Sequence, residues 1–406
     1  MFKDIDRRLA TIVLIVFVQI VGASMVLPIL PTYARRAFGV SEGVVTLLIT
    51  SFFIAQFIAG PFLGRLSDVY GRLPLLIISQ IGTVIAFAVL GLAESVALLF
   101  FARILDGITG GNIIVAQAYV TDITPPKQRT QALGYIFLSF GVGFIFGPSV
   151  GGVLGSLFGP RVPFFFAAVV ALLTTLITWF ALDETLSLEQ RSQNRGTRTR
   201  LGPRFVLANI ALLLVLVIGF GTQFAFSMLQ STFALYGEDV LFPQYDAAAA
   251  TLRIGLLLSV IGFGQIFTQL FLLRRLLPRL GEHVLVILGT LGRGISFLIL
   301  ASLPMTGAAA VALLLFAIST GIQFPSLQGL VANSVPNEVR GAALGMFQST
   351  ANLGIIFGSA VAGVLFGLTP LLPYWLGGGL FLLLLIPAFA LRRRRPVEES
   401  IVQEAV

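Results

Sequence analysis

Arg103 and Asp106 stand three residues apart inside an otherwise apolar run, 96–120. Side chains at that spacing share a helix face. Such a pair can form an intrahelical ion pair, or it can hold a carboxyl that takes up and releases a proton. Ten residues into the run is about 15 Å along a helix, close to the middle of a ~30 Å hydrocarbon layer. Of the 18 acidic residues no other lies so deep: Asp68 falls in a short turn, Glu94 and Asp122 at run ends, the rest in loops or termini. Dehydration and a neighbouring guanidinium act on such a carboxyl in opposite senses, so a change in hydration moves its proton. An ionisable group inside a membrane span is costly and marks a functional site by default. A purely structural ion pair is the other reading.

Other chemistries lack the residues to carry them. There is no cysteine, which removes disulfides, thiolate metal sites and cysteine nucleophiles. His283 is the only histidine and sits at a run edge, where it reads as an interfacial residue. The sequence holds no Gly-x-Ser-x-Gly, no histidine pair for a metal and no acidic pair inside the runs, so an enzyme is not expected. No phosphate-binding loop is present either, which excludes ATP hydrolysis as an energy source, and no cofactor is expected. Two more arginines lie within apolar runs. Arg253 is near enough to an end to snorkel outward, whereas Arg293 is deeper and could face an acidic substrate.

The elements that position these residues follow from composition. The chain has 406 residues, 57% apolar and 11% charged, with a mean hydropathy of +0.97. A soluble domain carries roughly 25% charged residues, so the chain falls in the membrane class. Runs long enough to span, about 20 residues each, recur near 9–33, 43–63, 74–93, 96–120, 131–157, 163–182, 205–234, 248–273, 284–303, 307–332, 342–368 and 371–391. The first run is too long for the apolar core of a signal peptide. The expectation is an all-α integral membrane protein of twelve transmembrane helices.

Orientation follows from the basic residues. Lys3, Arg7, Arg8, Arg65, Arg72, Lys127, Arg129, five arginines between Arg191 and Arg204, Arg274, Arg275, Arg279, Arg340 and Arg392–Arg395 fall on one side, twenty of 26. The other side holds only Arg35, Arg36 and Arg161. Positive charge collects on the cytoplasmic face, which places both termini there. The net charge of +8 therefore reflects topology, and nucleic acid is not an expected partner. The hydrophilic stretch 183–204 reads as a solvated cytoplasmic linker, with a regulatory or lipid-headgroup contact as the other reading. It separates a six-helix bundle, 1–182, from a second, 205–391, with a tail at 392–406.

The halves are copies. Asp-Ile-Thr-Pro-Pro-Lys-Gln-Arg-Thr-Gln-Ala-Leu-Gly from Asp122 aligns with Asn-Ser-Val-Pro-Asn-Glu-Val-Arg-Gly-Ala-Ala-Leu-Gly from Asn333. One offset pairs Pro125 with Pro336, Arg129 with Arg340, Gly143 with Gly354, Gly147 with Gly358 and Gly152 with Gly363. Two six-span repeats in the same orientation imply a pseudo-twofold along the membrane normal, with a substrate site between them near the midplane.

Three motifs carry a resemblance. Gly64-Arg65-Leu66-Ser67-Asp68-Val69-Tyr70-Gly71-Arg72 joins spans 2 and 3 and resembles the loop signature of the major facilitator superfamily. There the aspartate and arginine latch the two halves in the outward-open state, a role the resemblance gives to Asp68 and Arg72. The second-half counterpart has Pro278 where Asp68 aligns, so one such latch is expected. Span 5 carries Gly143, Gly147, Gly151 and Gly155 at four-residue spacing, which puts them on one face and admits a close neighbour. With Pro148 and Gly152 they resemble the span 5 signature of the drug:proton antiporter branch, and packing there would let the helix hinge. In span 4, Arg103 and Gly107 resemble the superfamily's Arg-x-x-x-Gly. The second half has Leu314 and Ala317 where the first has Arg103 and Asp106, so the architecture does not demand those charges.

The resemblance covers essentially the whole chain and is strongest to the twelve-span antiporters of the tetracycline and multidrug efflux type. It differs in span 1, which carries only Gln19 and Ser24 where several multidrug relatives carry an acidic residue. It implies proton-driven efflux by alternating access. The depth of Asp106 makes it the expected coupling carboxylate, with Arg103 its partner and Asp122 or a uniport mechanism the fallback. The resemblance also implies a cavity lined by spans 1, 4, 7 and 10. Their polar residues are Gln19, Asn112, Gln223 and Gln323, with Phe226 and Phe324 nearby, which suits an amphipathic or lipid-like substrate. The expected partners are that substrate, protons and membrane lipids, and the protein is expected to act as a monomer in a bacterial cell membrane. The alternatives are a lipid or lysolipid transporter of the same fold and a solute receptor that does not transport.

Overall fold

Apolar backbone in lipid must satisfy its own hydrogen bonds, and a helix does so within one segment. The computed structural model describes residues 7–110, 112–125, 129–186, 203–336 and 339–392, and no strand occurs among them. Most of the linker expected at 183–204, and the tail beyond Arg392, lie outside the described residues.

Span 1 is Arg7–Phe38, span 2 Glu42–Tyr70 and span 3 Arg72–Leu92. Span 4 comes in two helical segments, Val96–Thr109 and Asn112–Ile123. Ser95 caps the first by accepting from the Leu98 amide. Spans 5 and 6 are Arg129–Phe158 and Val162–Ala181. After a short helix, Pro203–Ala208, span 7 runs Ile210–Tyr236 and ends in a π-helical turn, Gly237–Leu241. Span 8, Ala247–Phe267, passes through another π turn, Thr268–Leu272, into the helix Leu273–Ser302. Spans 10, 11 and 12 are Thr306–Asn333, Arg340–Leu368 and Leu372–Arg392.

Eleven helical stretches are long and apolar enough to cross a membrane, and one of them, Ala247–Ser302, has 56 residues. A straight helix of that length would reach about 84 Å, nearly three bilayer cores. It bends at Gly281, whose φ of +73° interrupts the helix, and 282–302 returns as span 9. The expected twelve spans are thus present. Gly71, at φ +107°, makes the equivalent turn between spans 2 and 3, a backbone conformation that favours glycine.

Contacts group the chain into two units, Met1–Gly196 with Phe233–Gly262, and Thr197–Thr232 with Phe263–Val406. The first holds spans 1–6 together with the hairpin that ends span 7 and begins span 8. Part of its core is Ile12, Val16, Leu76, Tyr119, Val120 and Ile136. The second holds most of span 7 and spans 9–12, with a core including Leu212, Val215, Val286, Leu327, Val331 and Phe347. Large apolar side chains such as Ile58, Phe62, Leu157, Phe180 and Ile386 stay exposed, as lipid-facing positions require.

Within each unit the repeat is visible as close packing. A Cβ built on Gly143 or Gly147 would strike Ile20 or Ser24 of span 1, and one on Gly151 would strike Met25. Gly354 and Gly358, their counterparts, meet the span 7 backbone at Phe220 and Phe224 and the side chain of Ser227. The four-residue glycine spacing therefore seats span 5 on span 1, and span 11 on span 7. A different face of span 5 meets span 8. A Cβ on Gly255 would lie 2.3 Å from the Pro148 carbonyl oxygen, and one on Gly262 2.4 Å from the Ile145 nitrogen. Ser149 and Ser259 hydrogen-bond across the same crossing at 2.6 Å.

Candidate functional site

Arg103 and Asp106 lie one turn apart on the first segment of span 4, and both are buried. Arg103 Nη1 donates to Asp106 Oδ2 at 2.8 Å, and the guanidinium stacks over the Phe52 ring of span 2 at 4.3 Å. Among the described residues Arg103 Nε has no hydrogen-bond partner. The pair is held in place by glycines that let span 4 press on its neighbours. A Cβ on Gly107 would lie 2.4 Å from the Phe52 carbonyl oxygen, and Gly82 of span 3 meets Thr109. The helical segment ends one turn beyond Asp106, at Thr109. Gln56 of span 2 donates to the Gly110 carbonyl there, at 3.3 Å.

A second charge cluster gathers around the turn between spans 2 and 3. Arg72 binds Asp68 at 2.6 Å and Asp122, at the end of span 4, at 2.9 Å. The amides of Arg72 and Leu73 donate to Glu184, just past span 6, at 3.0 and 3.1 Å. Gly71 supplies the positive φ of this turn, and a Cβ on Gly64 would make only ordinary contact with Ile114 of span 4, at 3.8 Å. Asp122 thus pairs with Arg72, sixteen residues along from Asp106. Glu184, just past the end of span 6, is a member of the cluster that the sequence reading did not single out. In the second half, aligning Gly71 with Gly281 puts Glu282 at the Arg72 position, and the repeat that starts at Asp122 puts Asn333 there. Glu282 and Asn333 hydrogen-bond at 3.2 Å.

A third cluster stands at the opposite end of the first unit. Arg35 and Arg36, at the end of span 1, meet Glu238 and Asp239 on the π turn that ends span 7. Arg35 binds Asp239 through two contacts of 2.6 Å, and both arginines bind Glu238, which is buried. The signal for it was present in the sequence: two of the three arginines on that side are adjacent, and Glu238-Asp239 is an acidic pair on the same side.

In the second unit Arg293 of span 9 is the largest fully buried side chain among the described residues. Its Nη1 donates to Gln323 Oε1 of span 10 at 2.8 Å, and its Nη2 to the Thr222 carbonyl of span 7 at 3.4 Å. Gln323 in turn donates to Thr290 at 2.6 Å. The rings of Phe316 and Phe381 lie 4.8 and 5.1 Å from the guanidinium carbon, and Phe226 stacks on Phe316 at 5.6 Å. Three of the residues proposed for substrate contact, Gln323, Arg293 and Phe226, are therefore brought together. Phe324 instead packs into the core beside Phe347. Gln223 is half-buried next to Thr222. Gln19 lines a small cavity within the first unit with Gln80, Thr83 and Thr174. The side chain of Asn112 lies outside the described residues.

A model of the Major Facilitator Superfamily matches residues 12–252 and 231–405. The chain belongs to the Major Facilitator Superfamily. This facilitator is 30% identical over 407 residues to a tetracycline resistance protein, class G, of Vibrio anguillarum, covering 96% of the chain and 98% of that protein. It is 29% identical over 394 residues to multidrug resistance protein 2 of Bacillus subtilis (strain 168), covering 93% and 94%. Among solved structures, a peptide transporter POT in complex with alafosfalin aligns with a TM-score of 0.80 at 14% identity, covering 97% of this chain and 95% of that one. The human organic anion transporter MFSD10 aligns at 0.68 with 24% identity, covering 94% and 99%. The facilitator fold and its membership of the efflux-type branch thus accord with what the span 2–3 turn and the span 5 glycines implied. The protein is a multi-pass integral membrane transporter.

Proposed function

We propose that this facilitator exports amphipathic small molecules in exchange for protons, by alternating access of the six-span halves 1–182 and 205–391. The observation that carries this reading is the buried Arg103–Asp106 pair in span 4. A carboxylate at that depth, held by one arginine, gains or loses its proton when hydration changes. Asp106 is the coupling carboxylate in this scheme and Arg103 holds it when charged. Asp122, engaged by Arg72, belongs with Asp68 to the latch at the span 2–3 turn. The relatives named for tetracycline and multidrug resistance support efflux of drug-like molecules. The arginine distribution supports cytoplasmic termini, in a bacterial cell membrane.

The test uses inverted membrane vesicles with an imposed pH gradient and tetracycline as the probe. Wild-type protein accumulates the probe with the gradient, and Asp106→Asn binds it but does not accumulate it. Gradient-driven accumulation by Asp106→Asn refutes the assignment. Wild-type equilibration that ignores the gradient refutes proton coupling and leaves a uniporter.

A further inference from the structure

Arg293 is a cation that is buried without an anionic partner among the described residues. It is 1% exposed. Counted from the bend at Gly281, it stands twelve residues into the returning helix, about 18 Å at 1.5 Å per residue and near the middle of a ~30 Å core. Among the described residues no carboxylate pairs with it; an amide oxygen, a backbone carbonyl and two aromatic rings are its neighbours. Buried charges in proteins are ordinarily paired, and in a membrane span an unpaired arginine is costly enough to mark a ligand pathway.

Packing does not require an arginine here. The alignment that places Gly71 on Gly281 also places Gly82 on Gly292, Phe87 on Phe297 and Leu90 on Leu300. It puts Thr83 where the second half has Arg293. The same helix in the same fold therefore packs with a threonine at this position. The guanidinium is an addition specific to the second half.

Its hydrogen bonding leaves one donor unused among the described residues. Nε has no partner, and the bond from Nη2 to Thr222 is long, at 3.4 Å. Nε and an Nη on one edge form the fork that binds a carboxylate through two parallel bonds. The guanidinium is flanked by aromatic surface: it stacks over the Phe316 ring, and Phe226 stacks on Phe316. Phe226 and Gln223 are both half-buried on span 7, close in sequence to Thr222, which meets Arg293. An occupant that satisfies the arginine must be anionic at one end and apolar beyond it.

We propose that Arg293 anchors the carboxylate of an amphipathic anionic substrate whose apolar portion lies against Phe226 and Phe316. This rests on the reading of the protein as an exporter and names the substrate class. Gln323 holds the arginine by accepting from Nη1, which leaves Nε and Nη2 to donate to the incoming carboxylate. Thr290 orients Gln323 through the 2.6 Å bond.

The test separates binding from transport. Purified full-length protein is titrated with 1-naphthaleneacetate and with its neutral isostere 1-naphthaleneacetamide, followed by tryptophan fluorescence and thermal shift, in gluconate and in chloride buffers. Wild type is expected to bind the acid at least tenfold more tightly than the amide. Arg293→Gln is expected to bring the ratio to about one, and Arg293→Lys to keep part of it. Equal binding of acid and amide by wild type, or binding of neither, overturns the proposal without reference to any variant. Stabilisation by chloride that the carboxylate does not reproduce overturns it in favour of an inorganic anion. Uptake of the acid into vesicles is measured alongside. Selective binding without transport keeps the anion site and refutes the exporter, whereas gradient-driven transport of other compounds without acid selectivity does the reverse.

Discussion

The Arg103–Asp106 pair yields a test that separates a structural ion pair from a coupling site. Among the described residues Asp106 is the only anion that touches Arg103, whose Nε already lacks a partner. Asp106→Asn removes that anion and leaves the guanidinium the Phe52 ring at 4.3 Å. Removing one member of a buried pair costs about 3–5 kcal/mol, because the other charge stays buried. Replacing both by apolar groups of similar volume is close to neutral. A cycle of Arg103→Met, Asp106→Asn and Arg103→Met/Asp106→Leu follows. Each single substitution should lower the thermal midpoint in detergent, and the double should recover most of the loss. Gradient-driven tetracycline uptake into inverted vesicles should vanish with Asp106→Asn and stay absent in the double. A double variant that regains both stability and uptake makes the pair structural and refutes the coupling role. A single variant with unchanged stability refutes the burial argument itself.

Three further outcomes follow from contacts elsewhere. Gly147→Ala should destabilise by about 1–3 kcal/mol through overpacking, since its Cβ would meet Ser24. Gly155→Ala, whose nearest neighbours are at 3.5 Å or beyond, should be nearly neutral, and equal thermal midpoints would refute the claim that span 5 seats on span 1. Arg72→Ala should disturb the span 2–3 turn more than Asp68→Asn, because Arg72 retains Asp122 when Asp68 is neutralised. Accessibility of the turn to limited proteolysis should rank the two in that order, and the reverse ranking counts against the cluster as drawn. At the opposite end, Glu238→Gln weakens charge-assisted contacts to two arginines, each worth about 1.5–3 kcal/mol. Spin labels at Ala37→Cys and Gln244→Cys, in a chain without other cysteines, should show a broader distance distribution in that variant. An unchanged distribution means the clasp does not hold span 1 to the end of span 7.

The spans were legible because the bilayer imposes one length and one hydrogen-bonding solution on every crossing. The repeat was legible because glycines mark where backbones must touch, and Gly143, Gly147, Gly354 and Gly358 do touch their partner helices. Spacing alone gave a face and no partner. It could not say that three of the span 5 glycines meet span 1, or that Ile145, Pro148, Ser149 and Gly152 meet span 8. Gly255 and Gly262, seven residues apart, carry that second crossing and have no motif to announce them. Charge clusters were hardest to read because they join residues far apart in sequence. Arg35 meets Glu238 across about two hundred residues, and Arg72 meets Asp122 and Glu184 across fifty and more. Positive-inside counting located these arginines by side without pairing them.

What the two halves share and where they differ carries the functional argument further. Shape is duplicated: Gly82 and Gly292, Phe87 and Phe297, and the span 5 and span 11 glycines occupy equivalent positions. The ionisable groups inside spans 4 and 9 are not duplicated. Arg103 and Asp106 have Leu314 and Ala317 as counterparts, and Arg293 has Thr83. At the turns, Arg72 with Asp122 becomes Glu282 with Asn333, a hydrogen bond in place of an ion pair. A repeat that served packing alone would show no such bias, because the fold tolerates an uncharged residue at the span 4 and span 9 positions in one half or the other. On the proposed function the charges are placed by task. A carboxylate that shares its site with an arginine, in span 4, suits a proton that comes and goes. On the proposal above, an arginine with no carboxylate among the described residues, in span 9, suits a charge that arrives with the substrate. Two sites in different units that respond to one conformational change would couple the two flows without touching, which is the minimum an exchanger requires.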